Sequence, residues 1–182
     1  ALDRFDDMRC VLGLFEGVVT GMADGYGRMA DKPASTLLHL GPGLGNGIAN
    51  LHNAKKANTP IVNIVGDHAT YHIEHDAPLT SNVEGIASPV SSWVKSSQTS
   101  KDVALDGAEA VAQARMGAGR ISTLILPANT AWEAAEAEAD PIWIPDRANV
   151  SSVVIRKIAE VLKSGEETLI HMTGRALRKD TL

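Results

Sequence analysis

The chain has 182 residues, of which 44% are hydrophobic and 21% charged, a composition that excludes collagen-like, disordered and disulfide-dense classes of protein. Its formal net charge of −5 comes without a block of basic residues, so we do not expect it to bind nucleic acid. Cys10 is the only cysteine, and no apolar run approaches the roughly 20 residues of a membrane helix, so we expect a cytoplasmic protein that does not bind membranes.

The first two predicted elements are a short strand and a glycine-rich helix. Residues 9–14 are predicted to form a buried strand, and residues 16–29 a helix. Gly17, Gly21 and Gly25 recur at every fourth position of that helix, and each glycine costs a helix roughly 1 kcal/mol relative to alanine. Close approach of another backbone, a subunit or a ligand to this side of the helix would offset that cost.

Strands and helices alternate over the next hundred residues. Strands are predicted at 35–40, 61–65, 92–96 and 121–126, and helices from the end of a glycine-rich loop (41–47) to about Ala57 and at 101–116. Residues 67–86 lack clear periodicity and are predicted to be a long loop with one helical turn. Alternation of this kind predicts an α/β fold, a doubly wound parallel sheet with helices on both faces.

A different pattern begins after the last of these strands. Residues 128–150 contain Ala and Glu repeats with two prolines and are expected to be a surface linker. A helix ending near Leu162 and a strand at 168–172 are predicted to follow. About thirty residues are too few to bury a core of their own. We therefore predict one domain over 1–127 and the beginning of a second α/β domain over 151–182.

The glycine-rich loop is the first candidate site. It connects a strand to a helix, at the edge where open parallel sheets bind ligands and where helix N–H groups point outward. Its glycines alternate at positions 41, 43, 45 and 47, so it matches neither the dinucleotide fingerprint nor the nucleoside triphosphate loop. A tight turn of purely structural importance is the alternative, although seven such residues exceed what a turn requires.

Glu16 is the second candidate, at the beginning of the glycine-rich helix. The alternative interpretation is a first-turn glutamate that the helix dipole favours. Its apolar neighbours, Leu14, Phe15, Val18 and Val19, would desolvate the carboxyl group and raise its pKa, whereas the helix terminus would lower that pKa. The sequence leaves the direction open.

Three histidines are the third candidate. His68, His72 and His75 stand at positions i, i+4 and i+7, so on a helix they would share a face and could hold zinc. The His-Glu-x-x-His pattern is absent and Pro78 favours a loop, so a solvated loop is the competing interpretation.

The order of several motifs is similar to that of one known family. Glu16 leads the run Ala-Asp-Gly-Tyr-Gly-Arg at 23–28, Gly41-Pro42-Gly43 precedes Asn46, and Pro60 leads an apolar strand into Gly66. Over residues 1–126 the chain resembles the pyrimidine-binding domain of thiamine-diphosphate enzymes, specifically the acetolactate synthase large subunit and benzoylformate decarboxylase group. The resemblance implies the thiamine-diphosphate-binding fold, and that the family's first strand and most of its first helix are missing here.

The resemblance also implies roles for particular residues. Glu16 would hydrogen-bond the ring nitrogen of the cofactor's aminopyrimidine, which favours the imino tautomer that accepts the thiazolium proton. The expected cofactor-binding residues are Glu16, Gly41, Pro42, Gly43 and Asn46. His39 matches an active-site histidine of benzoylformate decarboxylases and would donate or accept a proton at the bound intermediate. A buried histidine bonded to the backbone is the alternative for His39.

The implied reaction is decarboxylation of a small-molecule 2-oxo acid followed by carboligation, as in acetolactate synthase. Simple decarboxylation is the alternative, toward which His39 leans, and a non-catalytic binding module is an alternative of another class. Gly66-Asp67-His68 is not the Gly-Asp-Gly of the diphosphate site, and no Asn-Asn pair occurs. Mg²⁺ and the diphosphate are therefore expected outside this segment, in a homodimer or homotetramer in which this chain alone is inactive. Dependence on FAD is left open.

Overall fold

The structure is a computed structural model that describes residues 7–146 and 148–177. The chain separates into two compact units, Ala1–Ile144 and Pro145–Leu182. The predicted domains 1–127 and 151–182 both extend beyond the described residues, and their boundaries stay predictions.

Helices and strands alternate along the first unit. The helices are α1 (Glu16–Ala30), α2 (Leu40–Lys56), α3 (Val83–Ala87), α4 (Val103–Arg115) and α5 (Ala128–Trp132), and the strands are β1 (Ala34–His39), β2 (Ile61–Asp67), β3 (Trp93–Ser96) and β4 (Ile121–Pro127). A single 3-10 turn, Ile73–His75, and α3 interrupt the predicted loop between β2 and β3. None of the helices in the described residues is long and apolar enough to span a membrane.

The four strands form one parallel sheet in the order β1-β2-β4-β3. Helix α2 joins β1 to β2 and α4 joins β3 to β4, and these two steps across the sheet run in opposite directions. Right-handed crossovers therefore place α2 and α4 on opposite faces. The predicted doubly wound α/β sheet with helices on both faces is confirmed.

Each face of the sheet has its own core. The larger core lies under α1, α2 and α3, and its fully buried side chains include Leu44, Leu51, Ile61, Val65 and Ile125. On the other face, Ala110 and Ala114 of α4 pack with Val62 and Leu124. Because β2 and β4 are covered on both faces, they carry consecutive apolar residues, such as Ile64-Val65 in β2 and Leu124-Ile125-Leu126 in β4, rather than a strict alternation with polar ones.

A row of buried polar side chains crosses the sheet on the side of the larger core. Thr36, Asn63 and Thr123 are register partners in β1, β2 and β4. The Thr36 hydroxyl donates to Asn63 Oδ1 at 2.8 Å, and Asn63 Nδ2 donates to Thr123 Oγ1 at 3.2 Å. The Thr123 and Ser91 hydroxyls lie 2.7 Å apart. A slip of one residue would turn these groups to the opposite face, so the row fixes the strand register.

Two predicted strands are wrong. Residues 9–14 and 168–172 form no strand, and in the described part of the chain neither segment pairs with a neighbouring strand. Leu12 is 86% exposed and Leu169 is 92% exposed. A strand depends on its partner and on a buried face, neither of which a short apolar run can reveal by itself.

The predicted glycine loop is also wrong, because 41–47 forms the first turns of α2. The first four N–H groups of a helix need no intrahelical acceptor, so Pro42 is tolerated there. The buried glycines Gly41, Gly43 and Gly47 are explained by close packing rather than by a turn.

Among the described residues, the segment predicted as a linker contains a short helix, and the second unit contains an α-helix and a 3-10 turn at Gly174–Leu177. Helix α5 occupies the beginning of the predicted linker, which is a correction, and its Asn129 and Thr130 are buried. In the second unit, α6 (Ser152–Lys163) begins where Ser151 Oγ accepts a hydrogen bond from Val154 N, as an N-cap does. The predicted helix ending near Leu162 is confirmed.

We predict that Asn63→Ala lowers the free energy of unfolding by about 2–4 kcal/mol, because it removes two buried hydrogen bonds and leaves the Thr36 hydroxyl without its acceptor. Urea unfolding followed by circular dichroism measures the change. The exposed variant Gln98→Ala is the control and should stay within about 0.5 kcal/mol of wild type. A loss from Asn63→Ala no larger than that of the control would contradict the importance of the row.

Candidate functional site

Helices α1 and α2 pack closely side by side. A side chain at Gly47 would place its Cβ 2.7 Å from Thr20 Cγ2, and one at Gly21 would place it 3.2 Å from Asn50 Nδ2. Thr20 is fully buried in this contact, with its hydroxyl 3.2 Å from the Gly47 carbonyl oxygen. The close approach expected of the α1 glycines is therefore met at Gly21, whereas nothing lies near Gly25.

Glu16, the first residue of α1, faces the first turns of α2. Its Oε2 accepts a hydrogen bond of 3.1 Å from Asn46 Nδ2. A Cβ at Gly43 would lie 3.0 Å from Glu16 Oε1 and 3.3 Å from His39 Cβ. Because Gly43 has no side chain, the Glu16 carboxylate and His39 can both pack close to the backbone of α2 at this position.

The Glu16 carboxyl group has a lowered pKa, which resolves the direction that the sequence left open. The hydrogen bond from Asn46 is the largest cause, the backbone N–H of Glu16 acts in the same direction, and partial burial opposes them. The charge of His39 also lowers this pKa slightly. The expected apolar surroundings are not found, because Leu14 is 94% exposed and Phe15 is about half exposed.

His39 is the last residue of β1 and stands next to Gly66 of β2 in the register. It precedes α2 directly and is exposed, so the alternative of a buried histidine bonded to the backbone is wrong. The carboxyl ends of β1 and β2, where parallel sheets bind ligands, thus carry His39 beside the Glu16 carboxylate.

The other predicted residues of α2 lie in its first turn but differ in their surroundings. Pro42 is exposed. Gly41 is buried against Ser81, whose side chain occupies the place that a Cβ at Gly41 would need. Gly41 therefore contacts the loop before α3, while Gly43 and Asn46 contact Glu16.

Residues 1–86 of the chain match the family described as thiamine pyrophosphate enzyme, N-terminal TPP binding domain. The matched segment, residues 1–86, belongs to this family. The resemblance that the motifs indicated is confirmed.

Two curated relatives belong to the expected group. Over 179 residues, 98% of this chain, it is 50% identical to a Mycobacterium tuberculosis protein provisionally named acetolactate synthase large subunit IlvX. Over 99 residues, 54% of this chain, it is 35% identical to the benzoylformate decarboxylase of Pseudomonas aeruginosa. The chain spans only 34% and 19% of the length of these two relatives.

Solved structures share the fold. The thiamine diphosphate-dependent 4-hydroxybenzoylformate decarboxylase of Rhodococcus jostii RHA1 is 28% identical with a TM-score of 0.76, covering 88% of this chain and 31% of that one. The benzoylformate decarboxylase of Polynucleobacter necessarius is 26% identical with a TM-score of 0.78, covering 89% and 31%.

The geometry fits the aminopyrimidine of the family's cofactor. An ionised Glu16 carboxylate accepts hydrogen bonds, and the lack of a side chain at Gly43 lets it pack against α2 close to the exposed His39. No group of three His, Cys, Asp or Glu side chains in the described residues could hold a metal ion.

The zinc alternative is wrong in its geometry. Only Ile73–His75 forms a 3-10 turn, so no helix presents His68, His72 and His75 on one face. Their rings instead form a tilted contact between His68 and His72 and an edge-to-face contact between His72 and His75, with centroids 5.5 Å apart in each pair.

Sequence reasoning missed Leu40, the residue that joins His39 to α2. Leu40 has a φ of 53° and is 6% exposed. A left-handed backbone is rare for a branched, non-glycine residue and is held in place by the surrounding structure. No sequence signal identifies such a leucine, although strain of this kind clusters at functional sites.

We predict that Asn46→Ala raises the pKa of the Glu16 carboxyl toward its ordinary value, because the alanine removes the largest cause of the lowered value. Carbon-13 NMR of the labelled glutamate side chains, titrated against pH, measures the shift. Asn53→Ala, an exposed asparagine of the same helix, is the matched control and should leave the titration unchanged. An unchanged pKa in Asn46→Ala would contradict the assigned cause.

Proposed function

We propose that this chain provides the pyrimidine-binding half of a thiamine-diphosphate-dependent active site. The observation that carries the proposal is the Glu16 carboxylate held by Asn46 and packed, with His39, against Gly43 of α2. The enzyme would decarboxylate a 2-oxo acid and join the remaining fragment to a second one, as the name of the Mycobacterium tuberculosis relative indicates for that protein.

The proton chemistry follows from the lowered pKa of Glu16. Because the carboxyl group is ionised at neutral pH, it can accept a hydrogen bond from a protonated ring nitrogen and so stabilise that proton. When bound, the cofactor supplies the electron sink for decarboxylation. Asn46 keeps the carboxylate ionised and oriented, and Gly43 lets it pack close to α2.

His39 is proposed to move a proton at the substrate end of the site. It lies at the carboxyl edge of the sheet, is exposed, and is next to Gly43, which Glu16 also contacts. Gly41 and Pro42 are proposed to contribute to cofactor binding through the first turn of α2, where the Gly41 N–H has no intrahelical acceptor and Pro42 has no N–H to donate.

The proposal extends to the assembly. Mg²⁺ and the diphosphate would be held by residues outside this segment, in a cytoplasmic homodimer or homotetramer. Val18, Met22 and Met29 support such an assembly, because they form an apolar stripe on α1 that is exposed in the single chain.

A benzoylformate decarboxylase-type enzyme is the second candidate. The similarity to the Pseudomonas aeruginosa enzyme and the position of His39 favour it. The two candidate enzymes differ in the group that bonds to the carbon left after decarboxylation. A second 2-oxo acid gives ligation, whereas a proton gives an aldehyde. Product analysis of the full-length protein with pyruvate separates acetolactate from acetaldehyde.

We predict that Glu16→Gln slows exchange of the cofactor's thiazolium proton with solvent by about 10²–10⁴-fold, because an amide cannot stabilise the ring proton as a carboxylate does. Proton NMR of the full-length protein with thiamine diphosphate, quenched at intervals in D₂O, measures exchange. Glu84→Gln changes another first-turn glutamate and is the control. Unchanged exchange in Glu16→Gln would favour a non-catalytic module.

For His39→Ala, we predict a fall in turnover of about 10²-fold or more with little change in cofactor affinity, because the proton transfer is lost while the pyrimidine contacts remain. Steady-state kinetics with pyruvate and benzoylformate, together with calorimetry of thiamine diphosphate binding, measure the two effects. His52→Ala, an exposed histidine on α2, is the control. Equal turnover in both variants would remove His39 from the mechanism.

A further inference from the structure

Asn50 makes a second polar contact between α2 and the beginning of α1. It lies four residues after Asn46 and therefore on the same side of α2. Its Nδ2 donates a hydrogen bond of 2.6 Å to the carbonyl oxygen of Gly17, the residue that follows Glu16. We propose that Asn50 is a positioning residue that fixes the Glu16 backbone relative to Asn46; this rests on the proposed function.

The two asparagines hold different parts of the same residue pair. Asn46 binds the Glu16 carboxylate, and Asn50 binds the backbone immediately after it. A glutamate side chain has several rotatable bonds, so a single contact at its tip does not by itself determine the position of the Glu16 backbone relative to α2. With both contacts, the Glu16 carboxylate and the adjacent backbone are hydrogen-bonded to the same helix, α2.

Thr20 supports the same arrangement one turn further along α1. Its hydroxyl lies within hydrogen-bond distance of the carbonyl oxygens of Glu16, at 3.0 Å, and of Gly47 on α2, at 3.2 Å. The polar contacts between α1 and α2 therefore lie next to Glu16, the residue to which the proposed proton chemistry is assigned.

Gly21 gives the proposal a second, independent feature. A Cβ at Gly21 would lie 3.2 Å from Asn50 Nδ2, which is tight for such a contact. Alanine would make α1 a more stable helix, so the glycine is explained if it leaves room for the Asn50 amide. Asn50 and Gly21 are then a matched pair, and substitutions at the two positions should not act independently.

The experiment compares Asn50→Ala, Gly21→Ala and the double variant in the full-length protein. Calorimetry measures the dissociation constant for thiamine diphosphate. We expect each single variant to raise it about three- to tenfold, the range of one lost hydrogen bond. The double variant should be no worse than either single variant, because Gly21→Ala acts only through the Asn50 amide.

Two controls separate positioning from general stability. Asn53→Ala removes an exposed asparagine from the same helix, and Ser122→Ala removes a buried hydrogen bond of 2.7 Å to the Ala110 carbonyl on the opposite face of the sheet. Both should change the dissociation constant less than twofold. An effect of Ser122→Ala as large as that of Asn50→Ala, additive effects of the two substitutions, or wild-type affinity in Asn50→Ala would overturn the proposal.

Crystal structures of the cofactor-free variants provide a readout that does not depend on the proposed function. We expect Asn50→Ala, and Gly21→Ala if the former does not fold, to show Glu16 displaced from Asn46. An unchanged Glu16 overturns the role of Asn50 whatever the protein binds. If wild type does not bind thiamine diphosphate but Glu16 moves as expected, the proposed function fails while the positioning role stands.

Discussion

The close contact between α1 and α2 is the constraint on which the candidate site depends. The absence of a side chain at Gly47 leaves room for Thr20, and its absence at Gly21 leaves room for Asn50. The two helices can therefore approach each other closely at both positions. This approach brings Glu16, 30 residues earlier in the chain, within hydrogen-bond distance of Asn46. Larger side chains at these glycines would separate the carboxylate from the amide that keeps its pKa low.

The sheet supplies the other half of the site. The parallel register places His39 beside Gly66 at the edge where α2 begins, and the polar row through Asn63 fixes that register. Leu40 then turns the chain sharply in a left-handed conformation. His39 and Glu16, which come from a strand and a different helix, therefore both lie next to Gly43.

The fold could be predicted because buried parallel strands appear as short apolar runs between helices. The strand predicted at 9–14 failed because strand formation depends on a partner, which a local pattern does not contain. The glycine loop was wrong because glycine and proline lower intrinsic helix propensity, while packing against α1 overrides it at Gly43 and Gly47. Local propensity is thus least informative where tertiary contacts are closest.

The candidate site was predictable only in part. The motif order identified Glu16, His39 and Asn46, but not the direction of the Glu16 pKa, which depends on a contact between residues distant in sequence. Asn50 and the strained Leu40 carry no signal of their own.

A crystal structure of the full-length protein with thiamine diphosphate tests the central claim most directly. The account predicts that the Glu16 carboxylate lies about 2.6–3.2 Å from the pyrimidine ring nitrogen, with Asn46 still bound to the same carboxylate. A ring nitrogen beyond about 4 Å from Glu16, or one bonded to another acid, would contradict it.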